Sequence, residues 1–130
     1  MQNSPTAKAR GYQGEALAAE FLIKKGYTII EKNFTVRGGE VDLIMDDHGT
    51  LVFVEVKTRT GESFGHGDES LTAAKKRRIK STIARYLNDT MKSDDIDYRV
   101  DLIEVEVARD ADAAGLPNIP QITHSKDIEL

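Results

Sequence analysis

Residues 39–57 read GEVDLIMDDHGTLVFVEVK. Two runs rich in β-branched and apolar residues, 40–45 and 51–57, flank Asp46-Asp47-His48-Gly49-Thr50, a segment with the Asp and Gly content of a hairpin turn. Side chains alternate along a strand, so Val52, Val54 and Val56 share one face while Leu51, Phe53, Glu55 and Lys57 share the other. Glu55 and Lys57 are then ~6.5–7 Å apart on one face. With His48-Gly49 as the centre of the turn, Asp42 falls opposite Glu55 and Glu40 opposite Lys57. Cross-strand neighbours are ~4.5–5.5 Å apart, so the two carboxylates repel unless a cation, a proton or Lys57 stands between them. A one-residue slip of register would destroy the arrangement.

Oxygen ligands without Cys or clustered His suit a hard ion, Mg²⁺ or Mn²⁺. Such an ion activates water and stabilises charge on a phosphoryl oxygen, and a lysine beside it orients the nucleophile or neutralises developing charge. This is the chemistry of phosphodiester hydrolysis. The plainer alternative is a solvent-facing ion network of Asp42, Glu55 and Lys57 on a half-exposed sheet; Phe53 and Ile44 on the same face argue against it. Glu40, at the strand's end, reads as the ion partner of Lys57.

Upstream, residues 27–36 form a further strand, bent around Glu31 to Asn33, and Arg37-Gly38-Gly39 turns it into the next. The result is a three-stranded meander. A helix spans about residues 8–25 and is closed by Gly26. Its apolar stripe is Ala18, Ala19, Leu22 and Ile23, extended by Tyr12 and Ala16, and Glu15 leans to the core side because it precedes Ala19 and Leu22 at helical spacing. Downstream, a polar loop over 58–70 contains Gly61, Gly65 and Gly67, without the Lys-Ser/Thr pair of a phosphate-cradling loop. A helix over about 71–88 follows, with Ala74, Ile79, Ile83, Tyr86 and Leu87 as its apolar stripe, and then a strand over 98–107. The order α-β-β-β-α-β predicts an α/β sandwich with a mixed sheet flanked by helices.

The 130 residues suit one domain, 1–108, with a tail over 109–130 that is loop or a short strand near 119–123. The absence of Cys excludes disulfides, thiol catalysis and iron–sulfur ligation. Apolar runs are too short to span a bilayer and the opening MQNSPTAKAR has no apolar signal region, so a cytoplasmic location is expected. The net charge is −4, yet residues 57–85 hold eight basic and only three acidic side chains. That local field, not the acidic total, decides whether a polyanion binds. Lys75-Lys76-Arg77-Arg78 with Lys80 opens the second helix; Lys75, Lys76, Arg77 and Lys80, joined by Arg59, are the candidate phosphate contacts, against the alternative of a solvated face. His48 is explained by its turn, His66 by its glycine-rich loop, and His124 lies in the tail. Arg99 and Asp101 share a strand face and suit a structural ion pair.

The strings Gly39-Glu40-Val41-Asp42-Leu43-Ile44 and Val52-Phe53-Val54-Glu55-Val56-Lys57-Thr58-Arg59, with Gly11-Tyr12-Gln13-Gly14-Glu15 and Tyr98-Arg99-Val100-Asp101, resemble the YraN-like family of small bacterial proteins. That family is similar to the archaeal Holliday junction resolvases of the PD-(D/E)XK nuclease superfamily. The resemblance covers most of the chain, from about Gly11 to Val107. It implies a restriction-endonuclease-like fold, with Asp42 and Glu55 as metal ligands, Lys57 as the catalytic lysine and Glu15 as a third carboxylate brought in from the first helix. Val41 replaces the Pro of the superfamily's name and leaves the ligands untouched. The resemblance also implies a two-fold dimer. The expected function is therefore Mg²⁺- or Mn²⁺-dependent endonuclease action on structured or branched DNA. The alternatives are a non-catalytic nucleic-acid-binding module in a DNA-processing complex and a purely structural interaction protein.

Overall fold

The computed structural model describes residues 7–60, 71–93, 95–107 and 120–130, with the side chains of 7–12 and 60 outside the description. The elements run α1 (Ala7–Lys24), β1 (Thr28–Val36), β2 (Gly39–Asp47), β3 (Thr50–Thr60), α2 (Ala73–Asp89), β4 (Tyr98–Val107) and β5 (Gln121–Ser125). The five strands form one sheet in the order β1-β2-β3-β4-β5. β3 and β4 are parallel, the others antiparallel, so the sheet is mixed as the sequence implied. A parallel neighbour needs a crossover, and α2 supplies it.

Each helix buries one face of the sheet, and this explains the nearly continuous apolar runs of the central strands. Against α1 (Ala18, Ala19, Leu22) pack Leu43, Met45, Val52, Val54, Ile103 and Val105. Against α2 (Ile79, Ile83, Tyr86, Leu87) pack Val41, Ile44, Leu51, Phe53 and Val100. The α1 stripe differs from the expected one at its edges: Ile23 is 49% exposed and Ala16 is exposed, while Leu17 and Phe21 pack against the core instead. The stripe is centred on Ala18 and Leu22, which turns Ile23 toward solvent.

α1 ends in a Schellman motif. Gly26 adopts φ +101, its N–H donates to Ile23 O, and the Tyr27 N–H reaches back to Leu22 O. α2 starts later than expected, capped by the Thr72 hydroxyl, which accepts from the Lys75 N–H at 3.1 Å. The tail contributes an edge strand, β5, placed two residues beyond the expected start, and Ile128 and Leu130 pack on the α2-side core. Gly61, Gly65, Gly67, His66 and the first half of the expected 109–130 tail lie outside the described residues.

Candidate active site

The β2–β3 hairpin has the expected register from Asp47↔Thr50 to Leu43↔Val54. There the β2–β3 ladder ends, although β1 stays with β2 as far as Val36↔Gly39 and β3 stays with β4 as far as Thr60↔Val107. The sheet therefore forks beyond Leu43. At the fork the Asp42 carboxylate takes over from the ladder, its Oδ2 accepting the Val56 N–H at 2.8 Å. Because the strands part, the expected Glu40–Lys57 ion pair does not form among the described residues; Glu40 is exposed, and Lys57 is half-buried with Glu104 as its register neighbour on β4.

Two glycines let the helices close over this fork. At Gly14, a Cβ would collide with the Thr58 hydroxyl, so α1 lies directly on β3 and brings Glu15 inward. At Gly39, a Cβ would collide with the Thr82 hydroxyl and stand 3.1 Å from Arg78 O, so the backbone of α2 settles on the start of β2. Between α2 and the fork lies a cavity of about 450 Å³, lined among others by Gly39, Glu40, Asp42, Glu55, Lys75 and Arg78.

Asp42 and Glu55 are both buried, on the α2 side of the fork. Glu15, half-buried, stands within electrostatic reach of Asp42 and Asn33. Asn33 has φ +52 and stands between Lys32 and Phe34, the partners of Leu43 and Val41, so the expected bend in β1 delivers a polar side chain beside the acids. Glu55 Oε2 is 3.6 Å from Lys75 Nζ. Its other oxygen, Oε1, is buried without a hydrogen-bond partner among the described residues.

Burial is the main cause that moves all three acids upward, and mutual charge adds to it. Glu55 is pushed up to about 8 by desolvation and then by the Asp42 charge, against the pull of Lys75. Glu15 is pushed up to about 7 by desolvation and then by the Asp42 charge. Asp42 is also raised by desolvation, opposed by the Val56 N–H.

These residues fit a hard divalent ion in one respect and depart from the expected set in another. A buried all-oxygen pair, with one oxygen orphaned among the described residues, is what a cation would satisfy. Yet no three acidic or imidazole side chains among the described residues already stand at ligating distance.

The basic run divides. Lys75 faces the carboxylates and Lys76 is half-buried beside Glu104 and Glu129, whereas Arg77 and Lys80 are exposed. Arg59 is turned inward with only 9% of its side chain exposed and pairs with Glu104 at 3.4 Å, so it is not displayed on the basic surface as expected. Arg78, three residues after Lys75, lines the cavity; helical spacing alone was the signal for it. Asn33 carried no sequence signal beyond its place in the bend.

A second buried polar cluster sits at Asp101. Its Oδ1 accepts from Arg99 Nε at 3.0 Å and the Asp127 N–H at 3.1 Å; its Oδ2 accepts from the Tyr27 hydroxyl at 3.0 Å and His124 Nε2 at 2.8 Å. Arg99 also donates to Asp47 Oδ2 at 2.7 Å. The expected Arg99–Asp101 pair is present, and His124, left in the tail by sequence reasoning, completes it.

Comparison with known proteins gives a match to the model of "Uncharacterised protein family UPF0102" over residues 14–105. A UPF0102 protein of Symbiobacterium thermophilum is 48% identical over 100 residues, 77% of this chain and 84% of the relative. One from Caldicellulosiruptor bescii is 38% identical over 120 residues, 92% and 96% of the two chains. One from Herpetosiphon aurantiacus is 37% identical over 126 residues, 95% of each. The matched span includes every candidate acid and the whole basic run.

Proposed function

We propose, starting from a chain that belongs to the UPF0102 family, that this protein is a divalent-metal-dependent endonuclease acting on structured or branched DNA. The observation that carries the reading is the pair of buried carboxylates at the sheet fork, Asp42 and Glu55, one oxygen of which is unsatisfied beneath Lys75 and Arg78. Their likeness to the PD-(D/E)XK arrangement supports it. Asp42 and Glu55 would hold Mg²⁺ or Mn²⁺, which when bound supplies water activation and charge stabilisation at phosphorus.

The remaining roles belong to the chain's own side chains. Asp42 is fixed by the Val56 N–H, so its free lone pairs keep one direction. Glu15 holds a proton against Asp42 and tunes the charge at the site. Lys57, two residues beyond Glu55 on the same strand face, stabilises the reacting phosphate or orients water. Arg77 and Lys80 hold flanking phosphates without reading bases. A two-fold dimer would suit a symmetric junction.

The test is cleavage of linear, flapped and four-way-junction DNAs with Mg²⁺ or Mn²⁺, beside Glu55→Ala and an EDTA control. Metal-dependent cutting that Glu55→Ala abolishes is expected. The exposed Arg77 and Lys80 favour a second reading, a non-catalytic nucleic-acid-binding module. Binding that weakens with salt, without cutting on any substrate, would replace the nuclease with that module. No helix among the described residues is long and apolar enough to cross a membrane.

A further inference from the structure

The carboxylates and Lys57 leave two cavity-lining cations, Lys75 and Arg78, without a task. They are three residues apart on α2 and so project from one side of the helix over the acids. Lys75 occupies the first turn, where the helix dipole is already positive, and that turn contains no acidic residue to offset it. Its compensation comes from the acid pair, Glu55 across 3.6 Å and Asp42 beyond it. The pair is not saturated by it, because Glu55 Oε1 keeps no hydrogen-bond partner among the described residues.

Resting on the nuclease reading, we propose that Lys75 is an internal counter-ion which holds Glu55 in the metal-free protein and is released by an incoming divalent ion to clamp the substrate phosphate together with Arg78. A cation drawn to Asp42 and Glu55 stands within Coulombic reach of the Lys75 ammonium and repels it. The lysine can leave without moving the helix: its side chain is 37% exposed on a flexible four-carbon stem, and the cavity lies beside it. Arg78 offers a rigid fork to phosphate oxygens and Lys75 a point charge, a combination that recognises a phosphodiester and no base. Metal binding thereby creates half of the phosphate site, and the two events are coupled.

Calorimetric titration with Mn²⁺ separates this role from a structural one. Lys75→Met is expected to bind Mn²⁺ about tenfold more tightly than the unaltered protein, because a competing unit charge has gone. Lys75→Arg, which keeps the charge, should stay near the unaltered value. Arg85→Met removes the same charge from the far end of the same helix, where Arg85 pairs with Asp89, and should change nothing. In parallel, duplex DNA affinity should fall on Lys75→Met by about fivefold or more in Ca²⁺ but little in EDTA.

Unchanged or weaker Mn²⁺ affinity in Lys75→Met overturns the proposal, as does an equal loss of DNA affinity with and without Ca²⁺. Absence of cleavage, with the Lys75-dependent Mn²⁺ affinity intact, sinks the nuclease reading and leaves the counter-ion standing. Absence of Mn²⁺ binding in all four proteins removes both.

Discussion

Asp101 and Glu55 are almost equally buried, at 0% and 4% exposure, yet they are opposites. Asp101 receives four donors from Arg99, Tyr27, His124 and the Asp127 backbone, so desolvation is more than offset and its carboxyl is held below the usual range. Glu55 has one lysine at 3.6 Å, an orphaned oxygen and an acidic neighbour, and is pushed up to about 8. Burial alone therefore does not mark a functional acid. The count of donors is what separates the two: Asp101 is satisfied by the fold, and Glu55 keeps an oxygen without a partner among the described residues.

The comparison can be broken at either end. Asp101→Ala removes the acceptor shared by four donors and should destabilise the protein by about 3–5 kcal/mol, read from urea unfolding; a loss under about 1 kcal/mol would show that Asp47 alone satisfies Arg99. Glu55→Gln removes a charge that burial disfavours. At pH 8 without metal it should stabilise by roughly 1–2 kcal/mol, and a stability loss there would mean that the Lys75 contact outweighs desolvation.

pH sharpens the contrast. Glu15 and Glu55 keep protons in the fold up to about 7 and 8, whereas their usual value is 4.5, so they favour the metal-free fold fully below pH 4.5. That contribution is lost as pH rises through 8. Melting with and without Mn²⁺ should show an increment that grows from pH 5.5 to 8; a flat increment would dissociate the ion from these acids. Asp101 has the opposite sign, its contribution lost only as pH falls below the usual carboxylate range. The smallest effect belongs to the exposed Arg85–Asp89 pair, where Arg85→Ala should cost about 0.3–0.5 kcal/mol, against which the others are scaled.

Much of this was legible in the sequence because turn chemistry and alternation fix register. Asp46-Asp47-His48-Gly49-Thr50 set the hairpin, with His48 at φ +53 and Gly49 at φ +98, and the register carried Asp42 toward Glu55. The fork was not legible, because strand separation comes from Asp42 taking the Val56 N–H and from helices seated on Gly14 and Gly39, none of which is a local property. The Glu40–Lys57 ion pair was misjudged for that reason. Arg59 was misplaced because its Glu104 partner lies on a strand 45 residues away in sequence. His124 could not be paired with Asp101 from composition or period, since a 23-residue separation leaves no pattern.

The Asp101 cluster also bears on the order in which the molecule is made. Synthesis delivers Tyr27, Asp47, Arg99 and Asp101 before His124 and Asp127, so a nascent chain reaches β4 with the carboxylate half supplied. The last donors arrive only with β5 and the turn after it, which lock a strand that already neighbours β3. Closure of this edge of the sheet therefore waits on β5, and a chain cut before Gln121 should leave the β4 amides open to hydrogen exchange that the chain carrying β5 resists.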